Sequence, residues 1–362
     1  MRVLVVNAGS SSLKLATVED DQVVDARVVE RWDGEGHDQP IREFVAVAGR
    51  VDAVGHRVVH GGPEHTRATR VDDRLLDYLA SIEDLAPLHN PRAVEGMRAV
   101  ARLVDAPAVA CFDTAFHAHL PAAARTYALP REWNRRWSLR RYGFHGLSHA
   151  YAVRRAAALV GAQPRDLRVV SCHLGAGSSL AAVVGGRSVD TTMGFTPLEG
   201  LVMGTRSGSV DPGLLLWLLQ HGGVGVTELA TALTEDSGLK GLSGGSGDLR
   251  DVLDARAGDD DAALAYDVFV HRVRREVGAM AASAGGIDVL VMTAGIGEHS
   301  PVVRRDVVTP LAHLGLGVDP ARNEAATSDA DITAAGATSR TVVVTASEET
   351  EVARQVTDLL RG

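Results

Sequence analysis

The feature that most constrains this chain is a plan that occurs twice. Val3–Asn7 is apolar and β-branched, Ala8-Gly9-Ser10-Ser11-Ser12 supplies turn chemistry, and Leu13–Val18 resumes the apolar run. The same design returns at 167–184, LRVVSCHLGAGSSLAAVV: the strand Val169–Cys172 enters the turn Gly175-Ala176-Gly177-Ser178-Ser179, and Leu180–Val184 leaves it. Both copies contain Ala-Gly-Ser-Ser, at 8–11 and 176–179. The tetrapeptide alone would recur by chance, but shared flanking strands point to a duplication with one such hairpin in each half.

The 362 residues give room for two domains. Further short apolar runs read as strands at Ala108–Phe112, Ile287–Met292 and Arg340–Val344. Helical patterns read at Ser148–Val160, with Ser148 as cap and Gly161 as stop, and at Asp261–Ala282 and Glu348–Leu360. The Gly- and Ser-rich stretch Val224–Asp254 reads as loops with short helices. Strands alternating with helices predict an α/β architecture with mainly buried sheets.

The formal charge of −9, with both signs mixed along the chain, argues against a nucleic-acid backbone as partner. An acidic protein that binds anions must do so with local arginines, backbone amides and metal ions. Cys111 and Cys172 each end an apolar run and read as buried, reduced thiols; no disulfide framework or CxxC pair is present. The start MRVLVVNAGS is too short an apolar stretch for a signal peptide, and no run is long enough to span a bilayer, so the expected compartment is the cytoplasm.

Neither a Walker loop nor a protein-kinase glycine loop occurs. Instead, glycine-rich turns are expected directly after strands at Asn7–Ser12, Gly175–Ser179, Gly241–Gly247 and Gly295–Gly297. Glycine lets backbone N–H groups approach a phosphate, and the hydroxyls of Ser10, Ser12, Ser178 and Ser179 add donors. Any one turn is equally an ordinary hairpin; four together, with Lys14 beyond the first, favour phosphate binding.

Arg57 lies in the apolar segment GHRVVHGG, and Arg206 lies in MGTRSG between glycines. Arginines in such tight settings usually have a fixed anionic partner, whereas most others are solvated. Asp113 follows the strand Ala108–Phe112 in CFDTAFH, where strand carboxyl ends meet ligands; a helix cap is the alternative. Glu348 and Glu349 open a helix, a favourable place for any acid, from which one carboxylate could also reach a magnesium ion. Of His89, His145 and His173, His145 in YGFHGLSH is the best candidate to meet a reacting phosphate; no zinc-ligand spacing is present.

Taken in order, these segments resemble the acetate kinase family, a branch of the superfamily of sugar kinases, actin and heat-shock chaperone ATPases. The resemblance runs through VLVVNAGSSSLKL, GHRVVHGG, APLHNP, FDTAFH, YGFHGLSH, HLGAGSS, TPLEGLVMGTRSGSVDP, SGLKGLSGGSGDLRDV, TAGIGEHS and VTASEETEVAR, almost the whole chain. It implies an α/β fold of two duplicated actin-like ATPase (ribonuclease H-like) lobes around a central cleft. Residues 1–117 with 350–362 would form the first lobe, on the acyl and metal side, and 118–349 the second, nucleotide-binding lobe.

The resemblance also implies roles. Asn7 and Glu348 would help to hold Mg2+, with Mn2+ as the alternative ion, and Lys14 would meet nucleotide phosphate. ATP or ADP would be lined by His173, Leu174, Gly175, Ala176 and Gly177, and by Gly295, Ile296, Gly297, Glu298 and His299. Asp248, Leu249 and Arg250 would lie near the adenine. Arg57 would bind the acyl carboxylate, and Val59, Leu88 and Pro197 would wall a small apolar pocket. Asp113 corresponds to the family's essential acidic residue, and His145 and Arg206 would stabilise the transition state. A homodimer is implied, with acetate or acetyl phosphate and ATP or ADP as small-molecule partners and neither nucleic acid nor membrane.

Four departures from the family pattern stand out. Ala176 replaces the Asn of HLGNGSS, His299 replaces the Asn of GIGEN, and TASEE replaces PTNEE, which weakens the choice of Glu348 over Glu349. The stretch between residues 20 and 50 is also short. None removes a charged residue assigned to the chemistry, so changed nucleotide affinity is expected, not loss of activity.

A carboxylate acceptor is already ionised at neutral pH, so the expected reaction is direct in-line transfer without a general base. Asp113 then makes sense as the orienter of an arginine or in the outer shell of the metal. The rivals are another short-chain acyl kinase for propionate or butyrate, which Val59 disfavours weakly, and a non-enzymatic ATP switch of the actin or chaperone kind. No room exists for a peptide-binding domain, and FDTAFH and MGTRSG argue against the switch.

Overall fold

A computed structural model describes residues 1–9, 12–30, 32 and 39–362. The chain divides into two compact units, one of residues 1–118, 144–151 and 347–362, the other of 119–143 and 152–346. Each is built on one six-stranded sheet.

In the first unit the order is β3 (Gln22–Glu30), β2 (Ser12–Glu19), β1 (Arg2–Ala8), β4 (Ala53–Val58), β6 (Ala108–Phe112) and β5 (Thr69–Arg70). The strands β1, β2 and β3 form an antiparallel meander, β1, β4 and β6 run parallel, and β5 returns antiparallel at the edge. In the second unit the order is β9 (Arg187–Thr191), β8 (Ser178–Val184), β7 (Arg168–Leu174), β10 (Val289–Thr293), β12 (Arg340–Val343) and β11 (Ala330–Asp331). Its directions repeat those of the first sheet, strand for strand. The duplication expected from the two hairpins is therefore present in topology: Ala8 of the first Ala-Gly-Ser-Ser copy ends β1, and Ser178 and Ser179 of the second open β8. Ser10 and Ser11 lie outside the described residues.

The central strands are buried on both faces, as parallel strands covered by helices must be. Over the first sheet, the terminal helix Glu348–Arg361 packs Val352, Ala353 and Val356 against Val3, Val5, Val109 and Cys111. Gly55 at the centre of β4 permits this approach, since a Cβ there would stand 2.5 Å from Val352 and 2.9 Å from Val356. The second core gathers β7, β8 and β10 against the helix Asp260–Ser283, whose N-terminus is capped by the Asp259 carboxylate. Cys111 and Cys172 are free and buried, as expected.

Some boundaries shift. The strand read as Ile287–Met292 is Val289–Thr293, because Asp288 turns its carboxylate back to the backbone N–H and guanidinium of Arg168. The helix read from Ser148 begins at Gly146, so Ser148 is buried in its first turn and is not its cap. Gly161 does follow that helix, with a left-handed φ of 70°. The stretch 224–254 holds three short helices, Val226–Glu235, Gly238–Ser243 and Leu249–Ala255. Gly241–Gly247 accordingly starts inside the helix Gly238–Ser243 and runs on toward the next one, not after a strand. Gly295–Gly297 follows a strand but belongs to the helix Ala294–His299.

Candidate functional site

The first unit brings its charged residues to the carboxyl ends of β1, β4 and β6. Parallel pairing sets Asn7 beside Arg57, and antiparallel pairing sets Lys14 opposite Asn7, so the three share one face. Asp113 follows β6, held by backbone bonds from its N–H to the Val58 carbonyl and from the Gly146 N–H to its own carbonyl. Its carboxylate is fully buried and accepts two bonds from Arg57, Nε to Oδ1 at 3.2 Å and Nη2 to Oδ2 at 2.7 Å. Arg57 Nη1 donates to Asn7 Oδ1 at 3.2 Å, and Glu348 at the start of the terminal helix brings a carboxylate oxygen to 3.2 Å from Arg57 Nε.

Burial pushes the Asp113 carboxyl up to about 6, against the pull of the Arg57 guanidinium and with the help of Glu348. Burial opposes the charge on Arg57, but the carboxylates of Asp113, Glu348 and Glu349 outweigh it and hold the guanidinium ionised. Hydrogen bonds to Asp113 and Asn7 occupy three of the five guanidinium N–H groups, so two remain for an acceptor. Asn7, Asp113 and Glu348 each turn an oxygen to the Arg57 guanidinium, and among the described residues no group of three His, Cys, Asp or Glu side chains is placed to hold a metal ion by itself.

Three motifs meet beneath this cluster. Asn90, from APLHNP, clamps the His60 peptide from both sides, accepting from its N–H and donating to its carbonyl. Thr114 accepts from the Gly61 N–H, which ties FDTAFH to GHRVVHGG. Val59 is half-buried just past β4, and Leu88 is 64% exposed. His145 has a left-handed φ of 56°, a strained backbone for a residue with a side chain. The strap that imposes it is tight: a Cβ on Gly146 would lie 2.0 Å from the Asp113 carbonyl oxygen.

The second unit works with backbone where the first works with side chains. His173 and Leu174 end β7, and Gly175–Gly177 turn the chain, closed by Ser178 Oγ, which donates to the Gly175 carbonyl and accepts from its N–H. The hydroxyl read as a phosphate donor thus closes its own turn. Ala176 is exposed, and its carbonyl accepts from the Gly204 N–H. Gly204 and Gly247 pass so closely that a Cβ on either would lie within 3.0 Å of the other's carbonyl oxygen. Asp248 caps the helix Leu249–Ala255 and pairs with Arg250, whose hydrogen bonds hold the carboxyl down at about 2. Leu249 is buried in the core, whereas Arg250 is exposed.

After β10 the chain enters the helix Ala294–His299 through Ala294, at φ 63°. Gly295 is exposed, Ile296 half-buried, and Gly297 buried against Met292. Glu298 accepts from the Ala346 N–H at 2.9 Å, and His299 is largely exposed. Arg206 donates to the Pro197 carbonyl at 2.6 Å, and burial lowers its pKa, with no carboxylate paired to it among the described residues.

Sequence reasoning did not find the group that shapes the Pro197 loop. Tyr127 accepts from the Phe195 N–H and donates to Glu199, which also pairs with Arg141. These partners lie 68, 72 and 58 residues apart in the chain, beyond any local pattern.

Comparison with known proteins agrees with this geometry. The acetokinase family model matches residues 39–354. The acetate kinase of Trichormus variabilis is 41% identical, covering 99% of this chain and 100% of the relative, and that of Heliobacterium modesticaldum is 42% identical with 100% of each covered. The crystal structure of Porphyromonas gingivalis acetate kinase superposes with a TM-score of 0.91 at 34% identity over 99% of each chain. A propionate kinase from Francisella tularensis gives 0.90 at 34% identity over 98% of each. With the actin-like duplication visible in both sheets and the family model covering most of its length, the chain belongs to the acetokinase family.

Proposed function

We propose that this protein catalyses the reversible transfer of the γ-phosphoryl group of ATP to acetate, giving acetyl phosphate and ADP by direct in-line attack. The observation that carries the reading is the Arg57 cluster: a guanidinium fixed by a fully buried carboxylate, with two N–H groups left to receive an acceptor. Relatives at about this similarity are acetate kinases along their whole length.

The acceptor carboxylate is ionised at neutral pH, so the protein supplies positioning and charge compensation. Arg57 anchors the carboxylate, and Asp113 aims Arg57. Val59, Leu88 and Pro197 bound the methyl group. Arg206 and His145 take charge that develops on the equatorial oxygens. His173–Gly177, Asp248–Arg250 and Gly295–His299 receive the nucleotide, with Lys14 on its phosphates. Asn7 and Glu348 would hold Mg2+, which when bound neutralises phosphate charge. Of the two adjacent glutamates, Glu348 is favoured because its carboxylate reaches Arg57.

The test is to trap acyl phosphate with hydroxylamine, given ATP, Mg2+ and acetate, propionate or butyrate in turn. Hydroxamate formed fastest from acetate is expected. One methylene is worth about 1–3 kcal/mol in such a pocket, so a faster longer acid would keep the chemistry and change the substrate. No hydroxamate from a protein that still binds ATP would favour a nucleotide switch.

The working form is a cytoplasmic homodimer, in this reading. No helix of the described residues is long and apolar enough to cross a membrane. Yet the helix Pro212–His221 buries none of its residues, and Leu214, Leu216, Trp217 and Leu219 are exposed by 37–56%. Such a patch marks an association surface. Light scattering should give twice the chain mass, falling to one on Trp217→Glu; a monomeric wild type at working concentration would refute the dimer.

A further inference from the structure

The segment Gly295–His299 is too short to hold its own shape. Helices well under 12 residues are marginal in isolation. This one has six and is entered through Ala294 in the left-handed region, which disfavours a residue with a side chain. Its last carbonyls have no partner within the helix. Something outside must fix it.

Arg304 does so. It lies on the next helix, Pro301–Val308, on the inner face with Val303, Val307 and Val308, and is only 1% exposed. Its Nη1 donates to the carbonyls of Gly297 at 3.0 Å and Glu298 at 2.6 Å. Nε donates to Asn323 Oδ1 and Nη2 to the Asn323 carbonyl, both at 2.7 Å. Asn323 is 2% exposed and anchors itself through Nδ2 to the Pro301 carbonyl. The partners of this buried cation are thus carbonyl and amide oxygens. Glu324 acts on it through space, and burying a charge with no carboxylate bonded to it is costly, so it persists where several donors are needed at one point. A planar fork meets that need and a lysine does not. The positive charge also complements the carbonyl end of the short helix.

We propose that Arg304, locked by Asn323, is the positioning residue for the nucleotide: it sets the backbone of Gly295–His299 from behind and so determines ATP affinity without touching ATP. The inference rests on the reading of Gly295–His299 as nucleotide-binding. It concerns only the donor side of the reaction, which separates it from a general role in stability.

The experiment measures KM for ATP and for acetate, kcat, and melting temperature in Arg304→Lys and Asn323→Ala. In Arg304→Lys the ATP KM should rise about tenfold, the scale of one lost charge-assisted hydrogen bond, with acetate KM within about twofold and kcat within about threefold. Asn323→Ala should move the same constant less, and the rise in the double variant should fall short of the product of the two single rises, because both act through one contact. A lowered melting temperature with unchanged ATP KM would overturn the proposal. Should Arg304→Lys not fold, Asn323→Ala with direct calorimetric titration of ATP decides. Gly295→Val supplies the control on the underlying reading, since a Cβ at Gly295 meets nothing within 4 Å and the variant should fold. Unchanged ATP KM there would remove the segment from the nucleotide site. A raised ATP KM there with none in Arg304→Lys or Asn323→Ala would sink the inference alone.

Discussion

The two sheets have one strand plan and two chemistries. Position by position, Asn7 in β1 matches His173 in β7, Lys14 matches Ser179, and Arg57 in β4 matches Thr293 in β10. The first sheet ends in side chains that carry charge, locked to one another by ion pairs. The second ends in tight glycine turns and a short helix whose useful groups are backbone. In the proposed reading the difference follows from what each would hold. A small acceptor that moves toward a phosphoryl group needs one aimed cation, which only a side chain can supply. A polyphosphate spreads its charge over many oxygens, and repeated N–H groups on a rigid backbone meet that need without importing net charge.

Arg206 is the exception in the second unit, and removing it is the strongest way to break the comparison. It is a guanidinium with a carbonyl partner and, among the described residues, no paired carboxylate to neutralise its charge. Arg206→Ala should lower turnover on the order of a thousandfold, by analogy with an arginine finger, while ATP KM changes little. Initial rates at saturating substrates check this. A loss of a few-fold would take Arg206 out of the transition state and leave the second unit purely a backbone binder.

Asp113→Asn asks the same question of the first unit. It keeps an acceptor for Arg57 but removes the buried charge that aims it. Misplacement of a reacting group by about 1 Å is worth on the order of a hundredfold, and that is the expected fall in kcat/KM for acetate. ATP KM should change far less, because in the proposed reading most of the nucleotide contacts belong to the second unit. A full rate with unchanged Mg2+ dependence would show that Arg57 needs no orienter.

What the sequence made legible tracks this division. The charged end was readable because Arg57, Asp113 and Glu348 sit beside strands or at a helix start, where a charge in an apolar context is conspicuous. The hairpin copies were readable because their turn chemistry is local. The supports were not. Arg304 stands beside Arg305 and looks like its equal, yet one is buried and the other has a half-exposed side chain. The signal was present in the spacing of Val303, Val307 and Val308, which places Arg304 on the apolar face of its helix. Asn323 follows 19 residues later with no local cue. Likewise the entry of the helix at Gly146 depends on the Asp113 carbonyl, a contact no window of sequence contains.

The smallest predicted effect tests whether the match between the sheets extends to their interiors. His56 in β4 pairs with Val6, as Met292 in β10 pairs with Cys172, so a buried histidine stands where the second sheet has methionine. His56 is 2% exposed, and burial pushes its pKa down to about 4. A depressed histidine is neutral in the folded chain, so its contribution to stability is complete above the usual 6.5 and is lost as pH falls from there toward 4. By pH 5 the loss relative to pH 7.5 is on the order of 2 kcal/mol. Asp113, pushed up to about 6, works in the opposite sense, stabilising the fold as pH falls through that value, and His60, at about 4, works in the same sense as His56. Both are retained in His56→Met, so the difference between variant and wild type isolates His56. Melting temperatures at pH 7.5 and 5.0 should therefore converge in His56→Met, the residue taken from the matching place in the second sheet. An equal pH dependence in both proteins would mean that His56 reaches water in the folded state, and that the interior of the first sheet is less like the second than their strand orders imply.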